Sequence, residues 1–282
     1  LFVQVLYGQA LFSTSSLIGW FWLAVIPLVI LAYYGLYLRS WRPSGRPSSL
    51  VALVSLSLLL VVLFIFINNM TLMLRPTEWE RIYRANQTGL ALNLSDPQLI
   101  PRLLQIALAA VAVTGAGVAM LGWKHARTEG ERETGEWMMR YGGRAFILFT
   151  TLQVIVGPLF LLSQPGDISR LFLGQNALYT LVLAISIMLA VGASLLIYQA
   201  TRATIDARQL WGGAGLILLT ILGMAWNREH LREAYLTGAI EPAGMPVVTQ
   251  GLVVAIFFIL FIAGLLVLGW MLRALIRGEG LR

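Results

Sequence analysis

The feature that most limits what this chain can become is a series of seven long apolar runs, each close to or above the about 20 residues that a helix needs to cross a hydrocarbon core. They lie near 15–38, 50–70, 100–123, 144–163, 176–199, 209–226 and 247–272. A backbone in that medium must satisfy its own amides and carbonyls, so the runs are read as α-helices rather than loops. The chain is 12 % charged and 58 % hydrophobic, against about 25 % charged residues in a soluble domain. The expected fold is all-α: one polytopic membrane helix bundle over 1–282, with about seven transmembrane helices. The sixth run is the shortest and holds the flexible Trp211-Gly212-Gly213.

Basic residues set the expected orientation. The alternate segments 39–49, 124–144, 200–208 and 273–282 carry thirteen of the twenty Lys and Arg, and the opposite face carries seven. The positive-inside rule then puts the N-terminus outside and the C-terminus in the cytoplasm. The expected location is the bacterial inner (cytoplasmic) membrane. Residue 1 is Leu, and 1–8 lacks a basic start and a small-residue cleavage site. The natural chain is therefore expected to begin upstream.

Small residues mark where the helices should approach closely: Gly115-x-Gly117, Gly142-Gly143, Gly212-Gly213-x-Gly215 and Ala190-x-Gly192-Ala193. Two outer segments should be helical. Thr77 to Ala85 opens with a Thr-x-x-Glu capping box and groups Trp79, Ile82 and Tyr83 on one face. Asn227 to Leu236 sets Arg228/Arg232 and Glu229/Glu233 four residues apart, a spacing suited to cross-linking a surface helix.

Several functions lose their footing on composition alone. Without Cys there is no disulfide, thiolate metal site or iron–sulfur ligation, and only His125 and His230 remain for imidazole chemistry. No basic run interleaved with aromatics points to nucleic acid, and no nucleophile elbow, Walker loop or HExxH points to hydrolysis. The acidic residues all read as lying in connecting segments, and Pro27 and Pro158 have no repeat partners. A proton-coupled or inverted-repeat carrier is thus not expected.

The most informative stretch runs from Phe64 to Lys124. An apolar run exits through Asn68-Asn69-Met70-Thr71-Leu72-Met73-Leu74-Arg75-Pro76, crosses a polar segment and re-enters through Pro101-Arg102-Leu103-Leu104-Gln105. This order resembles subunit I of the cytochrome bd quinol oxidases, where an Asn-x-Trp-Met-Gln-x-Pro-like exit precedes a helix bearing a haem b ligand. Gln105 stands where that family has His. The stretch from Leu183 to Gly192 is similar to the family's helix with a Met ligand: Met188 matches, and Ser186 replaces an expected Arg. Gly223-Met224-Ala225-Trp226 resembles Glu-x-Gly-Trp with the Glu ligand changed to Gly223, and the first run lacks the family's two membrane glutamates. The family's nine helices, less the first two, leave seven in the orientation given by the Arg count. Its quinol-binding loop would fall at 164–175.

The resemblance implies a haem-site remnant. A neutral carboxamide is a poor iron ligand beside imidazole or thioether, so no haem b is expected in this chain, and a quinone is the one cofactor left open. The expected function is a haem-free, bd-like integral membrane subunit that braces or anchors a larger respiratory or photosynthetic electron-transfer complex, non-catalytic in itself. In that reading the amides of Asn68, Asn69, Gln105 and Gln153 tie helices together. The alternative is a quinol- or quinone-binding subunit that passes electrons to an extracytoplasmic cytochrome c. The residues to watch are Gln105 and Met188 for the haem remnant, and Arg170, His230, Arg232 and Tyr235 for the quinone. Expected partners are other membrane subunits, that cytochrome and lipids, with no nucleic acid.

Overall fold

The computed structural model describes residues 7–41, 46–202, 207–240 and 251–277. Parts of the expected connecting segments (42–45, 203–206 and 241–246), the first residues of the seventh expected run (247–250), the tail 278–282 and the start 1–6 lie outside them. The structure is all-helical, 87 % helix, with no strand among the described residues. Seven helices are long and apolar enough to span a membrane.

The order is α1 (Gly8–Leu17), α2 (Gly19–Trp41), α3 (Arg46–Met73), a 3-10 turn (Pro76–Glu78), α4 (Trp79–Ala85), α5 (Leu99–His125) and α6 (Arg132–Leu162). A short α7 (Gly166–Arg170) and a wide turn (Leu171–Gln175) lead to α8 (Ala177–Arg202) and α9 (Ala207–Leu236), and α10 (Gly251–Arg277) follows. The chain divides into two compact units, Leu1–Ile240 and Glu241–Arg282. In the second, α10 carries Phe257 and Phe261 stacked 5.8 Å apart along its own face. The first unit is built from three antiparallel hairpins, α2/α3, α5/α6 and α8/α9.

The α5/α6 hairpin is the tightest of the three, and the sequence dictates why. Gly115 and Gly122 stand seven residues apart on α5, as do Gly135 and Gly142 on α6, so each pair recurs on one face after two turns. A methyl placed on Gly142 would sit 2.4 Å from the Gly115 carbonyl oxygen, and one on Gly122 would sit 2.6 Å from the Met139 amide nitrogen. Backbone therefore meets backbone, and van der Waals contact stands in for the weak hydrophobic drive between helices in lipid. Gly117, expected at the same seam, has open space around it. Ala112, Ala116 and Phe146 continue the seam into a cluster with Ala193 and Ile197 of α8. On α9, Gly213 lies against Ile197, whereas Gly215 touches nothing.

Three expectations about element ends need correction. The sixth span is not the shortest: α9 runs unbroken for 30 residues through Trp211-Gly212-Gly213 and absorbs Asn227 to Leu236, which is no separate surface helix. Gly212 and Gly213 pack on Leu196 and Ile197 within an intact helix, and towards its end Glu229 pairs with Arg232 and Glu233 with His230. Likewise α6 begins at Arg132, well before the apolar run, because Glu136 bridges Arg132 and Arg140, each at 3.1 Å, along one face. Glu133, Glu136, Glu229 and Glu233 thus stand on helices, not in connecting segments. The capping box at Thr77 does not form. No side chain caps α4, Glu80 pairs with Arg84 and Glu78 with Arg81, and Trp79 Nε1 donates to the Leu72 carbonyl at 2.8 Å. Ile82 packs on the cluster of Ile18, Ile65 and Leu72, while Tyr83 is exposed.

The first expected span is also divided. Ile18, fully buried, separates α1 from α2. The segment after α4 secures that break: Trp20 N donates to Gly89 O at 3.2 Å and Ala91 N to Leu17 O at 3.2 Å. Gly89 has φ +74°, a conformation that favours glycine. This segment then dives to Asp96 and Gln98, beneath which the candidate site lies.

Candidate functional site

One end of the first unit gathers the close of α3, the start of α5 and the close of α6 and α9, and there a buried hydrogen-bond network replaces apolar packing. Asp96 is its anchor. Its carboxylate accepts from the Gln98 backbone N–H (2.9 Å) and from Asn93 Nδ2 (3.0 Å), and pairs with Arg75 Nε at 3.0 Å. The Asn93 N–H donates to Asn68 Oδ1 at 3.3 Å, which ties the segment to α3. Gln98 then acts in both directions: its Oε1 accepts from an Arg102 guanidinium nitrogen at 2.9 Å, and its Nε2 donates to the Tyr235 hydroxyl at 2.6 Å. The Tyr235 hydroxyl in turn donates to Gln164 Oε1 at 2.9 Å. Helices α3, α5 and α9 and the bend after α6 are thereby linked through side chains that are each half-buried or buried.

A second group joins α1 to α9. Tyr7 donates to Glu229 Oε1 at 3.0 Å, and Arg232 donates to Glu229 Oε2 at 2.6 Å with its guanidinium 5.1 Å from the Tyr7 ring. The Arg232–Glu229 pair, three residues apart, is half-buried, with Arg232 8 % exposed and Glu229 partly so, rather than a surface cross-link at i,i+4. Burial first, then the hydrogen bond to the Glu229 carboxylate, push the Tyr7 phenol up to about 12. Between the two groups lies a cavity of about 10 Å³, lined by Met70, Met73, Leu74 and Leu231 on its apolar side and by Arg102, Arg228 and Arg232 on its polar side. That volume accommodates about one water-sized group.

The residues expected to act together are only partly brought together. Arg232 and Tyr235 belong to the two buried groups. His230 faces elsewhere on α9: it stacks on Tyr179 (centroids 4.7 Å), meets the Trp226 ring edge-on at 3.9 Å and holds Nδ1 3.0 Å from Glu233 Oε2. Arg170 is exposed on α7. Sequence reasoning passed over Tyr7, Asp96, Gln98 and Gln164, and took Glu229 only for a surface cross-link. It noted Arg102 only as part of the Gln105 motif, although a charge inside an apolar run is itself a signal.

The residues at the positions matched to the oxidase haem ligands do not fit a haem. Met188 is 64 % exposed and turned out of the bundle. The Ser186 hydroxyl lies where a Cβ on Gly223 would fall, 2.2 Å from it, so α8 and α9 close on each other at that point. Gln105 Oε1 is buried with no hydrogen-bond partner, and so are Asn68 Nδ2 and Asn69 Oδ1. Asn68 and Asn69 still serve as ties, Asn69 Nδ2 donating to Ser15 Oγ at 3.2 Å. Among the described residues no three His, Asp or Glu side chains converge as they would around a metal ion.

Chemically, the network holds an arginine-rich cavity rigid at one end of the bundle. Tyr235 both donates and accepts, so its proton is committed, whereas Arg102 Nε is buried without a partner. No protein-family model, curated protein or solved structure matches the chain.

Proposed function

We propose that this chain is a haem-free integral membrane subunit, similar in its sequence order to subunit I of the cytochrome bd oxidases, that braces a larger electron-transfer complex in a bacterial inner membrane. The observation that carries the reading is the contact of Ser186 with Gly223: at a position matched to a haem ligand, two helices touch instead. The outward Met188 and the inter-helix network through Asp96, Gln98 and Tyr235 support the same role. A scaffold subunit needs fixed relative positions of its helices, and buried, mutually satisfied polar side chains supply them. The expected partners are other membrane subunits.

The test is a reduced-minus-oxidised spectrum of the purified full chain. No b-type band is expected. A band that disappears in Met188→Ala would sink the proposal.

A second reading rests on the His230 surroundings. A quinol loses protons as its electrons leave, and an imidazole paired with a carboxylate can accept one. His230 beside Glu233, against the faces and edges of Tyr179 and Trp226, offers that pair next to aromatic surface on which a quinone ring can stack. The acceptor of the electrons would be an extracytoplasmic cytochrome. Solvent extraction of the purified protein that yields phospholipid and no quinone would end this reading.

A further inference from the structure

We propose that the cavity between Arg102, Arg228 and Arg232 is a binding site for a phosphate group, either the headgroup phosphate of an anionic lipid or free phosphate. The proposal goes beyond the bracing role and stands whether or not the chain belongs to an electron-transfer complex. Its first support is charge. Arg232 is balanced by Glu229 and Arg75 by Asp96, but neither Arg102 nor Arg228 has a carboxylate within ion-pair distance among the described residues. Glu233, the nearest other acid on α9, is held by His230. Two guanidiniums at one cavity are therefore without a counter-charge, an arrangement that repels itself unless an anion joins it.

Its second support is an unfinished hydrogen-bond set. Arg102 is 8 % exposed, one of its nitrogens is fixed by Gln98, its guanidinium sits 5.3 Å from the Phe160 ring, and its Nε has no acceptor. A guanidinium carries five donors in a planar fork suited to phosphate oxygens. The cavity of about 10 Å³ admits one such oxygen. The remainder of the group must then lie outside, over Arg228, which is exposed on the same helix face as Arg232. Met73, Leu74 and Leu231, all buried, close the inner side of the cavity with apolar surface, so no water takes the place of the anion's oxygen as a partner from that side.

The test is native mass spectrometry of the delipidated full chain in a non-ionic detergent, with dioleoylphosphatidylglycerol or dioleoylphosphatidylcholine added. A parallel melting experiment compares inorganic phosphate with chloride at equal ionic strength. One phosphatidylglycerol should bind in preference to phosphatidylcholine, and Arg228→Gln should weaken it about tenfold or more, the loss of a charge-assisted hydrogen bond. Arg102→Lys, which keeps the charge but not the fork, should also weaken it. Arg228→Gln removes an exposed side chain, so an unchanged melting temperature without ligand shows that the fold is intact. If inorganic phosphate raises the melting temperature above chloride in the wild type and not in Arg228→Gln, while the lipid shows no preference, the source is free phosphate. Phosphatidylglycerol binding no better than phosphatidylcholine, together with phosphate acting no differently from chloride, would overturn the proposal. So would undiminished binding by Arg228→Gln.

Discussion

Gly115 and Gly117 lie two residues apart on α5, and changing each to Ala separates tertiary packing from helix propensity. Both substitutions gain the same intrinsic term, up to about 1 kcal/mol for Gly→Ala in a helix. At Gly117 the new methyl meets nothing within 4 Å, so Gly117→Ala keeps that gain. At Gly115 the methyl would lie 2.8 Å from both the Gly142 carbonyl oxygen and the Phe146 amide nitrogen, which are backbone atoms and cannot rotate away. An ordinary carbon–oxygen contact is about 3.3–3.6 Å, so the α5/α6 hairpin must open by roughly half an ångström or more. Overpacking of this kind costs about 1–3 kcal/mol. The shared propensity term cancels in the difference between the two variants. Gly115→Ala should therefore melt roughly 2–12 °C below Gly117→Ala, at about 2–4 °C per kcal/mol for a chain of this size. Gly142→Ala, with its methyl 2.4 Å from Gly115 O and 2.5 Å from Ala119 N, should fall lower still. Thermal unfolding in one detergent, followed by tryptophan fluorescence, reads all three. If Gly115→Ala and Gly117→Ala move the midpoint together within a degree, the backbone seam is not what holds this hairpin.

Other perturbations probe the polar end. Glu229→Gln leaves the buried Arg232 without its carboxylate and should cost about 2–3 kcal/mol, less than a fully buried pair because Glu229 is partly exposed; an unchanged denaturation midpoint would mean the pair is not a tie. Tyr235→Phe strands Gln98 Nε2 and Gln164 Oε1 and should cost about 1–3 kcal/mol by the same measurement. The Tyr7 phenol, held up at about 12 in the folded chain against 10.0 when free, keeps its proton more tightly folded than unfolded. Its contribution to stability is present below pH 10 and is lost as the pH rises from there through about 12. Phenolate absorbance, with Tyr7→Phe as the reference, should show one late-titrating tyrosine that titrates earlier in Glu229→Gln.

The length and apolarity of the runs determined a multi-pass helical bundle, because a chain with so few charges can satisfy its backbone in lipid only as helices. Each of the seven runs falls on one of the seven helices that are long and apolar enough to span a membrane. They failed where charges pair along a helix face, as at Arg132/Glu136/Arg140 and Arg232/Glu229, since hydropathy registers those residues as loop. Glycine content signalled close packing but could not tell Gly115, which meets a backbone, from Gly117, which meets nothing. That depends on the rotation of α5 against α6.

The candidate site was less legible. Arg232 and Tyr235 could be picked from an outer helix, but Tyr7 and Glu229 are 222 residues apart, and Gln98 and Tyr235 are 137 apart. No local pattern joins partners at such separations. The sequence by itself thus determined what kind of molecule this is, through the cost of unsatisfied polar groups in hydrocarbon. Only the tertiary structure decided which of its few polar side chains meet. Asp96, Gln98 and Tyr235 satisfy one another, Ser186 and Gly223 close a gap, and Arg102 and Arg228 are left with charge to spare, because those outcomes depend on how the helices pack.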